Sequence, residues 1–490
     1  DGFYKISISE NGIVINCISE KGLFYAWQTL KQLIINPTLL EDNINYYGLP
    51  ICEIEDQPKY SWRGLMLDVS RHFFNKKDVF KFIDNMALFK FNLLHMHLTD
   101  DEGWRIEIKS LPKLTEIGAF RPQRIGKWGN TAKQLPYEKN NYGGFYTQLE
   151  MKEIIDYAKE RFIDILPEVD IPGHSMAMLA AYPELSCTPD FYRAHIGNPF
   201  IDWSKPHLFA FTDNTLCPTN PLVYDYLDKI FSEIATLFPF PYIHIGGDEC
   251  AKNFWEENKS IQQLMKDNNY KNIEEVQNYF TLKVKNIIES KHKKVIGWDE
   301  ILEANNDTSI AIMSWRGEKG GIEATKRGHK IVMSPTTYTY LDYYQGEKLA
   351  EPPVYAGLRL KKCYQFNPCP SGVDCNLVLG GQGNVWTEQL QNNRSLEYMV
   401  WPRALAISEA LWSENKDWNN FTKKLELKFF TFLDNQSINF STAIYDPIIT
   451  AQKSGDSLFM IMEPEIDNEN LYYSLDESFP DQYYPIYEKP

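Results

Sequence analysis

Gly64-Leu65-Met66-Leu67-Asp68-Val69 is followed by Lys77-Asp78-Val79-Phe80-Lys81-Phe82-Ile83-Asp84-Asn85-Met86-Ala87-Leu88-Phe89, and then by Asn92-Leu93-Leu94-His95-Met96-His97-Leu98. A short apolar run, an amphipathic segment of helical spacing and a second apolar run make one βα step of a parallel sheet. The step repeats. Further runs lie at Ile163–Val169, Tyr242–Gly246, Val295–Trp298, Ile310–Trp315, Lys330–Met333 and Leu377–Gly380. Helical patterns are clearest at Lys77–Phe89, Glu150–Arg161, Ile273–Glu289 and Leu396–Trp412. Eight such strands with intervening helices close into a (β/α)8 TIM barrel, whose working face is the C-terminal end of the strands. The loops after strands two, three and seven are long, and long loops on that face carry function.

Outward from the barrel, expected at residues 56–445, lie two flanks. Residues 1–55 read as the C-terminal part of an α/β domain: Phe3–Ile8 and Gly12–Ile15 form a hairpin, and Leu23–Ile34 a helix. So small a unit cannot bury its own core and must lean on something else. Asp56-Gln57-Pro58 marks the boundary. Over residues 446–490 the helical periodicity stops, and Ser457–Met462 and Leu471–Leu475 read as strands beginning a β-sandwich.

Across all 490 residues, charged residues are 24% and hydrophobic ones 43%, which excludes a mostly disordered chain. A net charge of −16 argues against a nucleic-acid surface. No stretch reaches the ~18 apolar residues of a membrane helix. Aromatics are 14%, with 12 Trp, a composition that fits an enzyme acting on neutral sugars without establishing one. The eight cysteines include no CxxC pair. Cys363, Cys369 and Cys375 have no clustered His to complete a zinc site, while Cys187 and Cys217 bracket a long insertion and could form one bridge. The opening DGFYKISISE has neither a basic n-region nor an apolar h-region, so it is not itself a signal peptide. A periplasmic, surface-associated or secreted location is expected over a cytoplasmic one. Oligomeric state is left open.

The strand ends carry chemistry. Strand one ends at Asp68-Val69-Ser70-Arg71-His72, strand two at His95-Met96-His97-Leu98-Thr99-Asp100-Asp101, and strand three at Glu168-Val169-Asp170-Ile171-Pro172-Gly173-His174. Strand four ends at His244-Ile245-Gly246-Gly247-Asp248-Glu249, strands five and six at Trp298 and Trp315, and strand eight at Trp386-Thr387-Glu388. Solvated loop charge explains one or two such endings, not all of them. Adjacent carboxylates such as Asp248 and Glu249 cannot both ionise cheaply in a partly desolvated pocket, so one pKa rises. A raised carboxyl is what protonating a glycosidic leaving group requires. A surface turn capping the next helix is the plainer reading of that pair, but three tryptophans at other strand ends favour a sugar pocket. A metal reading competes: His95, His97, Asp100 and Asp101 resemble a ligand cluster, and period-two spacing puts both imidazoles on one face. Against it, the other strands offer Trp and Arg, and no metal or cofactor is expected.

The segments Trp62–Phe73, His95–Arg105 and His244–Glu249, with the Trp-x-Glu of strand eight, resemble β-N-acetylhexosaminidases of glycoside hydrolase family 20. The likeness spans roughly residues 10–445. It implies retaining hydrolysis assisted by the substrate: the sugar's own 2-acetamido oxygen attacks the anomeric carbon and gives an oxazolinium-like intermediate. By that resemblance Glu249 is the general acid that later activates water, and Asp248 accepts the acetamido N–H. Arg71 binds the sugar's 3- and 4-hydroxyls. Trp298, Trp315 and Trp386 wall the acetamido group, and Tyr340 donates to its oxygen. Asp342 and Glu388 bind hydroxyls at the rim, and Asp100 and His174 tune Glu249 or simply hold the loop.

The resulting expectation is an exo-acting hydrolase removing terminal β-linked GlcNAc or GalNAc from a glycan, its expected partner. Two stretches fit nothing in the family pattern, 188–216 and 343–375. The first could shape a leaving-group subsite or merely cover the barrel. Rival readings are a family member with altered subsites (disaccharide-releasing or specific for a sulfated sugar), a non-catalytic glycan-binding barrel, and a metal-dependent deacetylase.

Overall fold

A computed structural model describes residues 2–39, 45–124, 134–135, 137–195, 201–202, 204–205, 208–467 and 469–488. Eight strands form a closed barrel: β1 (Trp62–Asp68), β2 (Leu93–His97), β3 (Asp164–Glu168), β4 (Tyr242–His244), β5 (Lys294–Trp298), β6 (Ala311–Ser314), β7 (Ile331–Met333) and β8 (Val378–Val385). Each runs parallel to both neighbours, and β8 closes on β1 by pairing Val385 with Leu67. Every residue of β1 is buried, as expected of a strand with side chains facing both the barrel interior and the helical layer. The helix Lys76–Leu88 covers it with Val79, Phe82, Ile83 and Met86, and its first turn is closed by a capping box between Asn75 and Asp78. Thr147 and Glu150 do the same for Gln148–Lys159.

The eight apolar runs coincide with the eight strands, and two boundaries differ. Strand eight runs on to Val385, past the expected end at Gly380, because its ladder continues through glycines that contribute no apolar signal. Gly380 is required there: at φ +152° an added Cβ would sit 1.9 Å from the Trp62 carbonyl. The segment Leu396–Trp412 is two helices, Asn393–Val400 and Arg403–Trp412. Pro402 has no N–H to continue the ladder, so the first helix ends where Trp401 donates to Glu397.

Strand Tyr4–Ser9 pairs antiparallel with Gly12–Cys17 on one side and Cys52–Asp56 on the other, and the helix Glu20–Leu33 packs on this sheet. The unit leans on the barrel. Tyr25 meets Trp412 edge-on at 5.1 Å, Arg63 donates to the Tyr25 hydroxyl at 2.6 Å, and Lys90 donates to the Tyr4 hydroxyl at 2.6 Å. At the other end Ile448–Ser454 and Ser457–Glu463 form a hairpin. Leu471–Leu475, expected as a strand, carries a single bridge between Tyr472 and Ile486. Pro480 and Pro485 in the segment opposite it offer no N–H to a longer ladder.

Cys187 and Cys217 are disulfide-bonded. So are Cys369 and Cys375, a pair that reading three equally spaced cysteines as one group conceals. No described helix is long and apolar enough to cross a membrane.

Candidate active site

Strand register assembles the site. Glu168 at the end of β3 stands level with His97 of β2 and His244 of β4, and Asp68 of β1 stands level with His97. His95 and His97, two residues apart, both reach the Glu168 carboxylate, at 3.1 and 2.5 Å. His244 Nδ1 lies 2.9 Å from it, and Trp298 Nε1 donates to it across the barrel at 2.8 Å. Burial alone would raise this carboxyl. The surrounding imidazoles, His97 first, hold it well below the usual range instead.

From Glu168 a chain of alternating charge runs to the barrel mouth. His97 spans Glu168 and Asp100, its Nε2 2.7 Å from Asp100 Oδ2. Burial opposes its protonation, but carboxylates on both ring nitrogens push its pKa well above the ordinary histidine value. Asp100 Oδ1 is 3.0 Å from His174 Nδ1, and His174 Nε2 faces Glu249 at 3.6 Å and Asp248 at 3.9 Å. Despite burial His174 is raised well above its usual value, chiefly by Asp100 and Asp170. Asp100 is held well below its own by Arg71 and His174.

Asp248 and Glu249 follow β4 through Gly246 (φ +64°) and Gly247 (φ +93°). A Cβ on Gly246 would fall 1.6 Å from Asp170 Oδ1, so the turn needs glycine. Glu249 itself sits at φ +44°, in the left-handed region that non-glycine residues occupy mainly where a site demands it. The two carboxylates part company at once. The Asp248 side chain is 10% exposed and that of Glu249 33%. Burial, reinforced by Glu249 and Glu168 against the pull of His174, pushes Asp248 up to about 6. Asp248, the deeper of the two, is thus a raised carboxyl.

Arg71 lies opposite. Its guanidinium bonds Asp100 at 2.8 Å, Glu102 at 3.1 Å and Asp68 at 3.2 Å, has Glu388 at 3.8 Å, and sits 4.9 Å from the Trp386 ring centre. Burial pushes the Glu102 carboxyl up to about 8 even beside this cation. Trp298, Trp386, Tyr340 and Trp315 make one continuous wall, with successive ring centres 6.0, 6.4 and 6.2 Å apart. Trp315 Nε1 donates to Glu300 at 2.8 Å. Asp342 and Glu388 close the rim, each raised by burial; Glu388 lifts Asp342 further, while Arg71 holds Glu388 back.

These contacts bring the sequence-predicted residues together at the C-terminal ends of the barrel strands. Of the candidate metal cluster only Asp101 turns away, accepting from the Met176 N–H at 2.9 Å and from Asn214 at 3.2 Å, while His95 with Glu168 and His244, His97 with Glu168 and Asp170, and Asp100 with Asp170 and His174 each bring ligand atoms within 4.8 Å of one another. Glu168, Glu102 and Glu300 were given no role from sequence. Glu168 and Asp170 do share the period-two pattern that singled out His95 and His97, which was a usable signal.

Residues 60–415 match glycosyl hydrolase family 20, catalytic domain. The chain belongs to glycosyl hydrolase family 20. It is 37% identical over 495 residues to a β-hexosaminidase of Porphyromonas gingivalis, covering 97% of this chain and 60% of that protein. A β-hexosaminidase of Vibrio furnissii is 35% identical over 416 residues, 83% of this chain and 65% of its own. The chain thus spans less than two thirds of the length of either relative. Among solved structures, the family 20 exo-β-N-acetylglucosaminidase of Vibrio harveyi in complex with N-acetylglucosamine superposes with a TM-score of 0.78 at 34% identity, covering 90% of this chain and 68% of that one. The family 20 barrel and the closed eight-stranded sheet described above occupy the same residues.

Proposed function

We propose that this chain is a retaining exo-β-N-acetylhexosaminidase that removes terminal β-linked GlcNAc or GalNAc from glycans, with the barrel at 56–445 as the catalytic unit. One observation carries the reading: Asp248 and Glu249 are adjacent but unequal, one nearly buried and one open to the cavity. Glu249, the accessible carboxyl, protonates the departing oxygen while the sugar's acetamido oxygen attacks the anomeric carbon from the other face. Asp248 accepts the acetamido N–H. That bond and the positive charge growing on the oxazolinium ring both favour its ionised form, opposing the upward shift that burial gives it. Glu249 then takes a proton from the water that opens the ring, and the two inversions leave the β configuration. His174, kept cationic by Asp100, faces Glu249 while it carries negative charge.

Trp298, Trp315, Trp386 and Tyr340 enclose the acetamido group and hold it near the anomeric carbon, which converts an intermolecular attack into a positioned one. Arg71, Asp342 and Glu388 take the ring hydroxyls. A β-glucoside lacks both nucleophile and packing, so it should react several orders of magnitude more slowly than the GlcNAc analogue. The deciding experiment follows an unactivated β-GlcNAc glycoside by proton NMR, with the β-anomer expected to form first. Initial release of the α-anomer, or comparable rates on the β-glucoside, would overturn the proposal.

A further inference from the structure

Trp298 and Trp315 end neighbouring strands and are held in different ways. Trp298 is fully buried, with its Nε1 tied to Glu168 inside the barrel. Trp315 stands one residue past the end of β6 and is only partly buried. Its backbone is fixed from both sides: its N–H donates to Asp299 Oδ2 at 3.1 Å, and its carbonyl accepts from the Thr336 N–H at 2.9 Å. Its ring lies over Tyr340 with 22° between the planes and 6.2 Å between the centres. Such pairs are favourable over centre separations of ~4.5–7 Å, so stacking sets the plane of the indole but lets it slide by about 1 Å or more. Among the described residues, the one hydrogen bond on the indole is the Nε1 donation to Glu300 at 2.8 Å.

Glu300 is built to hold that position. It lies in the 3₁₀ turn Asp299–Leu302, which follows Trp298 directly, so the pinned tryptophan of β5 anchors the residue that pins the tryptophan of β6. Its side chain is only 14% exposed. The cation beside it, Arg316 at 3.7 Å, is already served by Asp299 at 2.6 Å and Glu303 at 3.1 Å, which leaves Glu300 to the indole. Burial, Asp299 and Asp248 hold its pKa well above the usual carboxylate value. The neutral acid so favoured offers Trp315 an acceptor oxygen without placing another anion near Asp248.

We propose that Glu300 is a positioning residue: by fixing the Trp315 indole it sets how tightly the sugar's N-acyl group is held against the anomeric carbon, and so which acyl groups are accepted. The proposal rests on the hydrolase reading above, in which Trp315 walls the acetamido group. Its test compares 4-nitrophenyl β-glycosides of N-acetyl- and N-propionylglucosamine. Glu300→Leu keeps the size of the side chain and removes the acceptor. It should lower kcat on the N-acetyl substrate about tenfold, what one hydrogen bond of ordinary net strength supports. KM should stay within about twofold, because attack geometry is lost rather than binding. A loosened wall relieves the crowding of the longer acyl group, so the ratio of kcat/KM for N-propionyl over N-acetyl should rise at least about threefold. Glu300→Gln, which keeps an acceptor oxygen, should hold both values near wild type, and Glu303→Gln, on the loop just after that turn, should leave the ratio unchanged. On a Trp315→Phe background, which has no N–H to offer, Glu300→Leu should cost nothing further. Arg316 keeps two carboxylates in Glu300→Leu, so the variant should fold; Glu300→Ala, read by the same criteria, replaces it if the leucine does not pack. Equal losses on both substrates, no loss on either, a loss in Glu300→Gln as large as in Glu300→Leu, or a further loss on the Trp315→Phe background would each overturn the positioning role while leaving the hydrolase reading in place. A wild-type protein that cleaves neither glycoside would overturn both.

Discussion

Asp248→Asn should make the protein more stable at neutral pH while removing most of its activity. The Asp248 carboxyl is pushed from 3.8 to about 6 in the folded state. That gap of about two units corresponds to roughly 3 kcal/mol at 1.36 kcal/mol per unit, and the side chain is too buried for solvent to screen much of it away. The sign follows from proton linkage. The folded value lies above the unfolded one, so the group favours folding fully below about pH 4 and loses that contribution as pH rises through 6. Asparagine cannot ionise and suffers no such loss. The variant's advantage should therefore be under about 1 kcal/mol at pH 4 and reach about 3 kcal/mol by pH 7.5. For 490 residues unfolding together, an entropy of about 2.1 cal/mol/K per residue makes this a rise in Tm of about 3 °C. His174 loses an anion at 3.9 Å in the variant but keeps Asp100 at 3.0 Å. Scanning calorimetry of both proteins at pH 4 and pH 7.5 gives the answer. A variant no more stable than wild type at pH 7.5, or equally favoured at both pH values, would refute the picture of a carboxylate strained by burial.

Three further outcomes follow from the same geometry. Glu249→Gln should cost about 10²- to 10⁴-fold on glycosides with poor leaving groups and far less on β-GlcNAc fluoride, whose leaving group needs little protonation, and equal losses on both would contradict its role as acid. The acid limb of kcat/KM, which reports the free protein, should have a midpoint near 6 where Asp248 ionises, and Asp248→Asn should abolish that limb in whatever activity remains. Arg71→Lys should destabilise the fold by about 3–5 kcal/mol, because an ammonium cannot serve Asp68, Asp100 and Glu102 together; an unchanged denaturant midpoint would show that the fork is dispensable.

The barrel was legible because a strand buried on both faces writes itself as an unbroken apolar run, and the helices between as a 3.6 period. Where the side chains vanish, so does the signal: β8 passes through Gly380, Gly381 and Gly383, and its last residues were missed although they pair with β1. The site was legible for a different reason. Parallel strands deliver all their C-terminal ends to one face, so Arg71, Asp100, His174, Asp248, Trp298 and Trp386 needed only to be read as strand ends. What could not be read was which of them touch. Glu168 looked like one more charged ending, and its role depends on the register of β2, β3 and β4 at a single level. The clamp of Asn253 on the Ala210 backbone, 43 residues away, was equally hidden.

The chain Glu168, His97, Asp100, His174, Glu249 explains why so much charge is buried at the mouth of this barrel. An isolated carboxylate or imidazolium at these depths would shed its charge. Alternating the signs lets each member hold the next: Glu168 and Asp100 are driven well below the usual carboxylate range, and His97 and His174 well above the usual histidine range. Those four shifts all favour the charged forms. Arg71 anchors the chain at Asp100 and ties it to the sugar-binding side. The charge facing Glu249 is thus held by a network whose members stabilise one another's charged forms, while Asp248, with one carboxylate oxygen buried and unpartnered, is raised to about 6. A group in that condition gains most from a ligand that brings it an N–H, and a 2-acetamido sugar brings one.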